Sequence, residues 1–278
     1  MGTRQFIHLS IAHHRVWLWI LAIVITVGSA VYQRLTGPTH PVRGKVNLAG
    51  QRISFRLLRN EIVDKELAIV LEVPDTTITG HVKYRRYKSR DDWSNIPLQR
   101  KGDQLKGSLP HQPAAGKLIY FVILDKGETT ISLTGDKPVI IRYRGDVPAW
   151  IFLPHVLIMF IAMLLSNRAG LEALDSQGRP YRYMIWTIVL FIAGGFILGP
   201  LMQKYAFGAY WTGFPLGTDL TDNKTLFAMV GWILAWFMNR RGREGRGWIV
   251  LAAVLMLAIY LIPHSLLGSE LDYTKMPQ

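Results

Sequence analysis

Five stretches of almost unbroken apolar sequence govern what this chain can become: residues 16–32, 149–165, 184–202, 226–238 and 248–262. A hydrocarbon layer about 30 Å thick needs about 20 apolar residues in helical form. With a few flanking residues, four of the five reach. The run at 226–238 is shorter and needs Thr225 and its neighbours, or a locally thinned bilayer. Mean hydropathy is only +0.19, but the apolar residues are gathered into blocks, so the chain is expected to be an integral membrane protein. The predicted architecture is an α-helical bundle of five transmembrane helices, or four if the first is removed as a signal. Gly28-Ser29-Ala30 looks like a cleavage site. The apolar run continues past it and begins with Trp17 and Trp19, so a retained signal anchor is expected.

The stretch 36–147 has a different period. Short alternating runs at 52–58, 67–73, 78–87, 95–99, 104–109, 117–124, 129–133 and 139–143 are separated by turn residues, the pattern of β-strands. The run 118–124, LIYFVIL, is apolar throughout, as for a central strand. His81, Lys83 and Arg85 alternate with Val82, Tyr84 and Arg86 as in an outer strand. Eight such strands with no helix signal between them predict an all-β sandwich inserted between the first two membrane helices.

From VKYRRY through WSNIPLQRKGDQLKGSLP to GKLIYFVILDKGE, the spacing resembles immunoglobulin-like and fibronectin type III domains, over residues 45–147 only. The chain has no cysteine, so the disulfide of antibody domains is missing. The resemblance implies a module that binds or spaces other proteins, hence a protein partner.

Orientation follows from lysine and arginine in the short loops. Arg4 and Arg15, then Arg168, Arg179 and Arg182 in 167–183, then Arg240, Arg241, Arg243 and Arg246 fall on one side. Lys204, Lys224 and Lys275 fall on the other. The expected location is a bacterial cytoplasmic membrane, with a cytoplasmic stub and first helix at 1–35. The sandwich (36–147), an outer loop (203–225) of the bundle 148–265, and the tail (266–278) are expected outside. The net charge of +13 then suits anionic membrane lipid or an acidic partner, with no nucleic acid implied.

Residues 199–225 form the expected outer cap. Tyr205, Phe207, Tyr210, Trp211 and Phe214 are interleaved with glycines and a proline, and are expected to pack as an ordered lid together with the tail. Thr221, Asp222 and Asn223 precede an apolar helix and suit N-capping, whereas Asp219 lies too early to cap the same helix.

Two constellations could carry chemistry. His155 and His264 each follow a proline and fall on the same side of the predicted topology. As neutral imidazoles they could ligate a b-type haem or a divalent metal, with Met159 one turn away as a soft alternative. The plainer account makes them interfacial residues bonded to backbone freed by the prolines. His8, His13 and His14 read as a solvated basic stub.

The second constellation is acidic: Asp219 and Asp222 in the loop, Glu270 and Asp272 in the tail. These carboxylates could form an oxygen-rich Ca²⁺ site or act as acid and base. The spacing is not that of an EF-hand, and there is no Walker A, G-x-S-x-G or H-E-x-x-H pattern. Without cysteine, zinc-thiolate, iron–sulfur and covalent c-type haem sites are excluded. The function expected first is therefore an interaction or assembly protein, with a haem- or metal-dependent redox protein as the alternative.

Overall fold

The computed structural model describes residues 2–240, 245–263, 268 and 270–275. They fall into two compact units. One comprises Met1–Gly37, Val147–Lys204 and Ala209–Gly268, the other Pro38–Asp146, Tyr205–Gly208 and Ser269–Gln278.

The first unit is helical: α1 (Gly2–Thr36), α2 (Ala149–Leu174), α3 (Pro180–Phe191), a π-helical stretch (Ile192–Leu198), α4 (Gly199–Phe207), α5 (Leu220–Asn239) and α6 (Arg246–Leu261). Among the described residues, three helical segments are long and apolar enough to cross a membrane: Arg15–Thr36, Ala149–Leu174 and Pro180–Phe207. Their outer faces keep Trp17, Val24, Leu153 and Leu157 exposed, contiguous apolar surface that an aqueous protein avoids. Inside, small residues let backbones approach. A β-carbon on Gly170 would lie 2.7 Å from that of Ala253, so α2 and α6 meet at this point. Trp232 is fully buried, and its indole N–H lies 3.0 Å from the Met256 sulfur.

Two expectations are corrected here. The helix expected to stop at 202 runs on to Phe207, with its backbone widened to i→i+5 bonding across Gly194 and Gly195. The outer loop is shorter for it. The supposed cytoplasmic loop 167–183 is largely helix, because α2 continues to Leu174. Asn167, Arg168 and Glu172 turn inward at 5%, 1% and 3% exposure. Arg168 therefore leaves the tally of loop cations, though the bias keeps its direction. A polar sequence was mistaken for a solvated one: the Asn167 amide donates to Thr26 Oγ1 at 2.9 Å, and Arg168 pairs with Glu172 one turn on, at 2.5 Å.

The second unit is all-β apart from its appended segments. Its strands are β1 (Val42–Leu48), β2 (Gln51–Leu57), β3 (Asn60–Ile62), β4 (Leu67–Glu72), β5 (Thr79–Arg86), β6 (Ser94–Pro97), β7 (Gln99–Lys101), β8 (Gln104–Leu109), β9 (Lys117–Lys126), β10 (Thr129–Ser132) and β11 (Val139–Arg144). They pair as a hairpin β1-β2, a sheet ordered β3-β11-β9-β5-β6 with β10 also on β9, and a sheet β4-β8-β7. All pairings are antiparallel except β3 with β11.

Seven of the eight runs read as strands are each one strand, whereas 95–99 spans the end of β6 and the start of β7, which lie in different sheets. β1, β3 and β7 escaped notice as separate strands, the first because Gly44 interrupts the inward apolar positions of its alternation, the other two because they are three residues long. β9 lies mid-sheet as expected, with Leu118, Tyr120, Val122 and Leu124 buried. β5 is not an outer strand: it sits between β9 and β6, and its alternation reports one uncovered face rather than an edge. The inward residues of all three sheets, among them Ile53, Ile69, Val82, Leu105, Val122 and Ile141, form one continuous core. Each large side chain so buried contributes about 1.5–3 kcal/mol.

Candidate functional site

Three buried polar groups of the helical unit, Asp219, Asp222 and Lys224, lie where the loop after α4 meets the start of α5. Asp219 is the N-cap of α5: its Oδ1 accepts the Thr221 amide at 2.7 Å, and its carbonyl accepts the Asn223 amide at 3.1 Å. The capping expectation for Asp222 is thus corrected. The helix begins six residues before the apolar run at 226, so the earlier aspartate caps it.

Asp222 points back into the loop instead. Its Oδ2 accepts the amides of Thr212 at 2.6 Å and Gly213 at 3.0 Å, with the Thr212 hydroxyl at 3.3 Å. The neighbouring Asn223 Oδ1 accepts the Phe214 amide at 2.7 Å. A β-carbon at Gly213 would stand 2.5 Å from that of Asp222, so only glycine brings the amides this close. Two further bonds close the loop, the Asp219 amide to the Thr212 carbonyl at 2.9 Å and Gln203 Nε2 to Thr212 Oγ1 at 2.5 Å. The Phe214–Pro215 bond is cis.

Order in this loop is therefore polar, not aromatic. Trp211 is half-buried, stacked on Phe196 at 5.9 Å, and its indole donates to the Phe214 carbonyl. Phe214 and Tyr210 are 67% and 55% exposed, and Tyr205 belongs to α4. The expected burial of Phe214 is overturned, since a backbone held by carboxylate and amide oxygens has no need to hide its rings. Exposed aromatics of this kind suit headgroup level. The loop and the tail belong to different compact units.

Below the loop, Lys224 is buried. Its Nζ donates to the Ile262 carbonyl at 2.8 Å, with the Pro263 carbonyl at 3.4 Å, where α6 ends. Beside it lies a cavity of about 40 Å³, lined by Gln33, Met159, Phe191, Thr221, Lys224 and Tyr260 among others, room for a water or two. His155 Nδ1 lies 3.0 Å from the Gly194 carbonyl in the π-helical stretch. A carbonyl only accepts, so Nδ1 carries the proton and Nε2 the lone pair. Met159 packs against the same glycine. His264 lies outside the described residues, as do the side chains of His8, His13 and His14, so the histidine pair is not described.

In the β unit the tail is tied down by Tyr273, whose hydroxyl donates to Gln112 Oε1 and accepts the Lys117 amide, both at 3.0 Å. The Leu271 amide donates to the Ala115 carbonyl at 3.1 Å. Glu270 bridges Lys117 at 2.7 Å and Lys88 at 3.0 Å, and Asp272 accepts the amide and hydroxyl of Thr274. Burial pushes the Glu270 carboxyl up, but the two lysines together outweigh it and hold the group below its usual range. Burial raises the Tyr273 phenol to about 12.

The four carboxylates expected to bind a metal are thus spent on a cap, a loop, an ion-pair bridge and a turn. Among the described residues no group of three or more His, Cys, Asp or Glu could hold a metal ion. Sequence reasoning expects Tyr273 to be buried, as it is, but missed its hydrogen bonds, the burial of Lys224 and the Arg168–Glu172 pair. Only the last had a local signal, its i,i+4 spacing. Comparison with protein families, with curated proteins and with solved structures finds no match to this chain.

Proposed function

We propose that this chain is an integral membrane interaction and assembly protein, an accessory subunit or scaffold of a larger envelope or respiratory complex in a bacterial cytoplasmic membrane. In this reading α5 and α6 join the three longer spans to make five. The N-terminus is cytoplasmic, and an immunoglobulin- or fibronectin-like β-sandwich is presented outside to a protein partner. A helix of 20 residues such as α5 reaches about 30 Å and one of 16 such as α6 about 24 Å, enough for the second with flanking residues or local thinning.

The observation that carries the reading is how the polar groups are used. Asp219, Asp222, Lys224, Glu270 and Tyr273 all bond to backbone or to each other's neighbours, and hold loops and helix ends in place. Among the described residues, no group of three or more His, Asp or Glu converges as a metal-dependent catalytic set would require. Beside them, the β unit completes an apolar core of its own, as a binding module requires. Native purification in mild detergent tests the proposal. A stoichiometric partner should accompany the chain, and a monodisperse chain alone across detergents and lipids would refute it.

A second reading keeps a b-type haem or divalent metal at His155. It is favoured by the Nδ1 bond to Gly194, which leaves Nε2 free to ligate, just as metal-bound histidines often donate their other ring N–H to a backbone carbonyl. Absorption spectra and elemental analysis of the extracted protein decide it. No Soret band and no stoichiometric metal would end it.

A further inference from the structure

From Val42 to Leu57 the β1–β2 hairpin carries Arg43, Lys45, Arg52 and Arg56 and no acidic residue. The register sets Arg43 directly opposite Arg56, Lys45 opposite Ser54 and Asn47 opposite Arg52. All six are exposed, whereas Leu48, Ile53, Phe55 and Leu57 point into the core, so the four cations share one face. Directly opposed side chains start about 5 Å apart, and like charges there repel. Among the described residues none of the four enters an ion pair.

We propose that this hairpin face docks on the headgroups of anionic phospholipid. An anionic surface turns the repulsion between Arg43 and Arg56 into shared attraction. Chain continuity favours lipid over an acidic protein. Five residues separate Thr36, the end of a helix long and apolar enough to cross a membrane, from Val42, a reach of about 20 Å at most. Headgroups are therefore always at hand, at high effective concentration, whereas a soluble partner has to be recruited. Basic segments next to a membrane helix bind anionic leaflets by the same electrostatics. The proposal is independent of the protein-partner reading and survives its failure.

The chain has no cysteine, so Ser54→Cys in the full-length protein gives a unique nitroxide site on this face. The labelled protein is placed in phosphatidylcholine nanodiscs containing a nickel-chelating lipid, with and without phosphatidylglycerol. Phosphatidylglycerol should increase relaxation of the label by headgroup nickel. Raising salt from about 0.1 M to about 1 M, which shortens the Debye length from about 10 to about 3 Å, should reverse the increase. Each cation removed should lower the docked-to-free ratio about fivefold, so R43E/R56E should abolish docking while K137E, on an exposed turn, should not. The salt series on the otherwise unaltered chain keeps the test valid if the double variant misfolds. Equal relaxation with and without phosphatidylglycerol would overturn the proposal. So would an acidic protein that co-purifies with the chain and is lost in R43E/R56E, while the label ignores lipid.

Discussion

The Asp222 carboxylate accepts the backbone amide of Thr212, ten residues earlier, at 2.6 Å, and so fastens the loop before α5 to the helix that follows it. The same oxygen takes the Gly213 amide. Losing a buried acceptor costs about 1–3 kcal/mol. Asp222→Ala should bring the amides of Thr212 and Gly213 close to solvent exchange rates while the exchange of α2 and α6 stays unchanged. Asp219→Ala removes only a cap, worth about 1 kcal/mol, and should loosen the first turn of α5 alone. Hydrogen exchange read peptide by peptide separates the two outcomes.

The tail should leave the β unit at both ends of the pH scale. Glu270 is held below its ordinary value of 4.5 by Lys117 and Lys88. Its contribution is therefore complete above 4.5 and lost as pH falls through that value and below. Tyr273 is raised from 10.0 to about 12, so its contribution is complete below 10 and lost between 10 and about 12. Glu270→Gln should flatten the acid limb and Tyr273→Phe the alkaline limb. Proteolysis of the tail as a function of pH is the measurement, and an unaltered limb in either variant would contradict the assignment.

Tyr273→Phe should also loosen the tail at neutral pH. It leaves the Lys117 amide without its phenolic acceptor and Gln112 without its donor. The expected cost is about 1–3 kcal/mol, seen as faster exchange at Lys117 and Leu271.

In the bundle, Arg168 lies against Trp19 and Tyr183, at 5.4 and 4.8 Å from the ring centres, as well as beside Glu172. Arg168→Met leaves a buried carboxylate unpaired, at a cost of about 3–5 kcal/mol. Pairing it with Glu172→Met removes the stranded charge and should recover most of that loss. Thermal unfolding in detergent of the two single variants and the double variant gives the coupling. Additive effects would show that the two side chains do not act as a pair.

The strands and most of the helices could be read from the chain because their signal is local. Alternation at 67–73 or 104–109 and sustained apolarity at 149–165 depend only on a residue's immediate neighbours. Which polar residue does what is not local. Asp219 and Asp222 are both cap residues by type, and Asp222 is drawn off the helix end by the Gly213 amide, nine residues earlier in the chain. Arg168 reads as a loop cation until Glu172, Trp19 and Tyr183 surround it. Glu270 reads as a metal ligand until Lys88 and Lys117, more than 150 residues earlier, close on it. Sequence by itself determined where backbone hydrogen bonds are satisfied within a segment, since propensity and periodicity act over a few residues. Tertiary structure alone decided the partners of the buried charges, because a desolvated charge is stabilised by whichever group the fold brings within about 3 Å, and that distance is not written in sequence order.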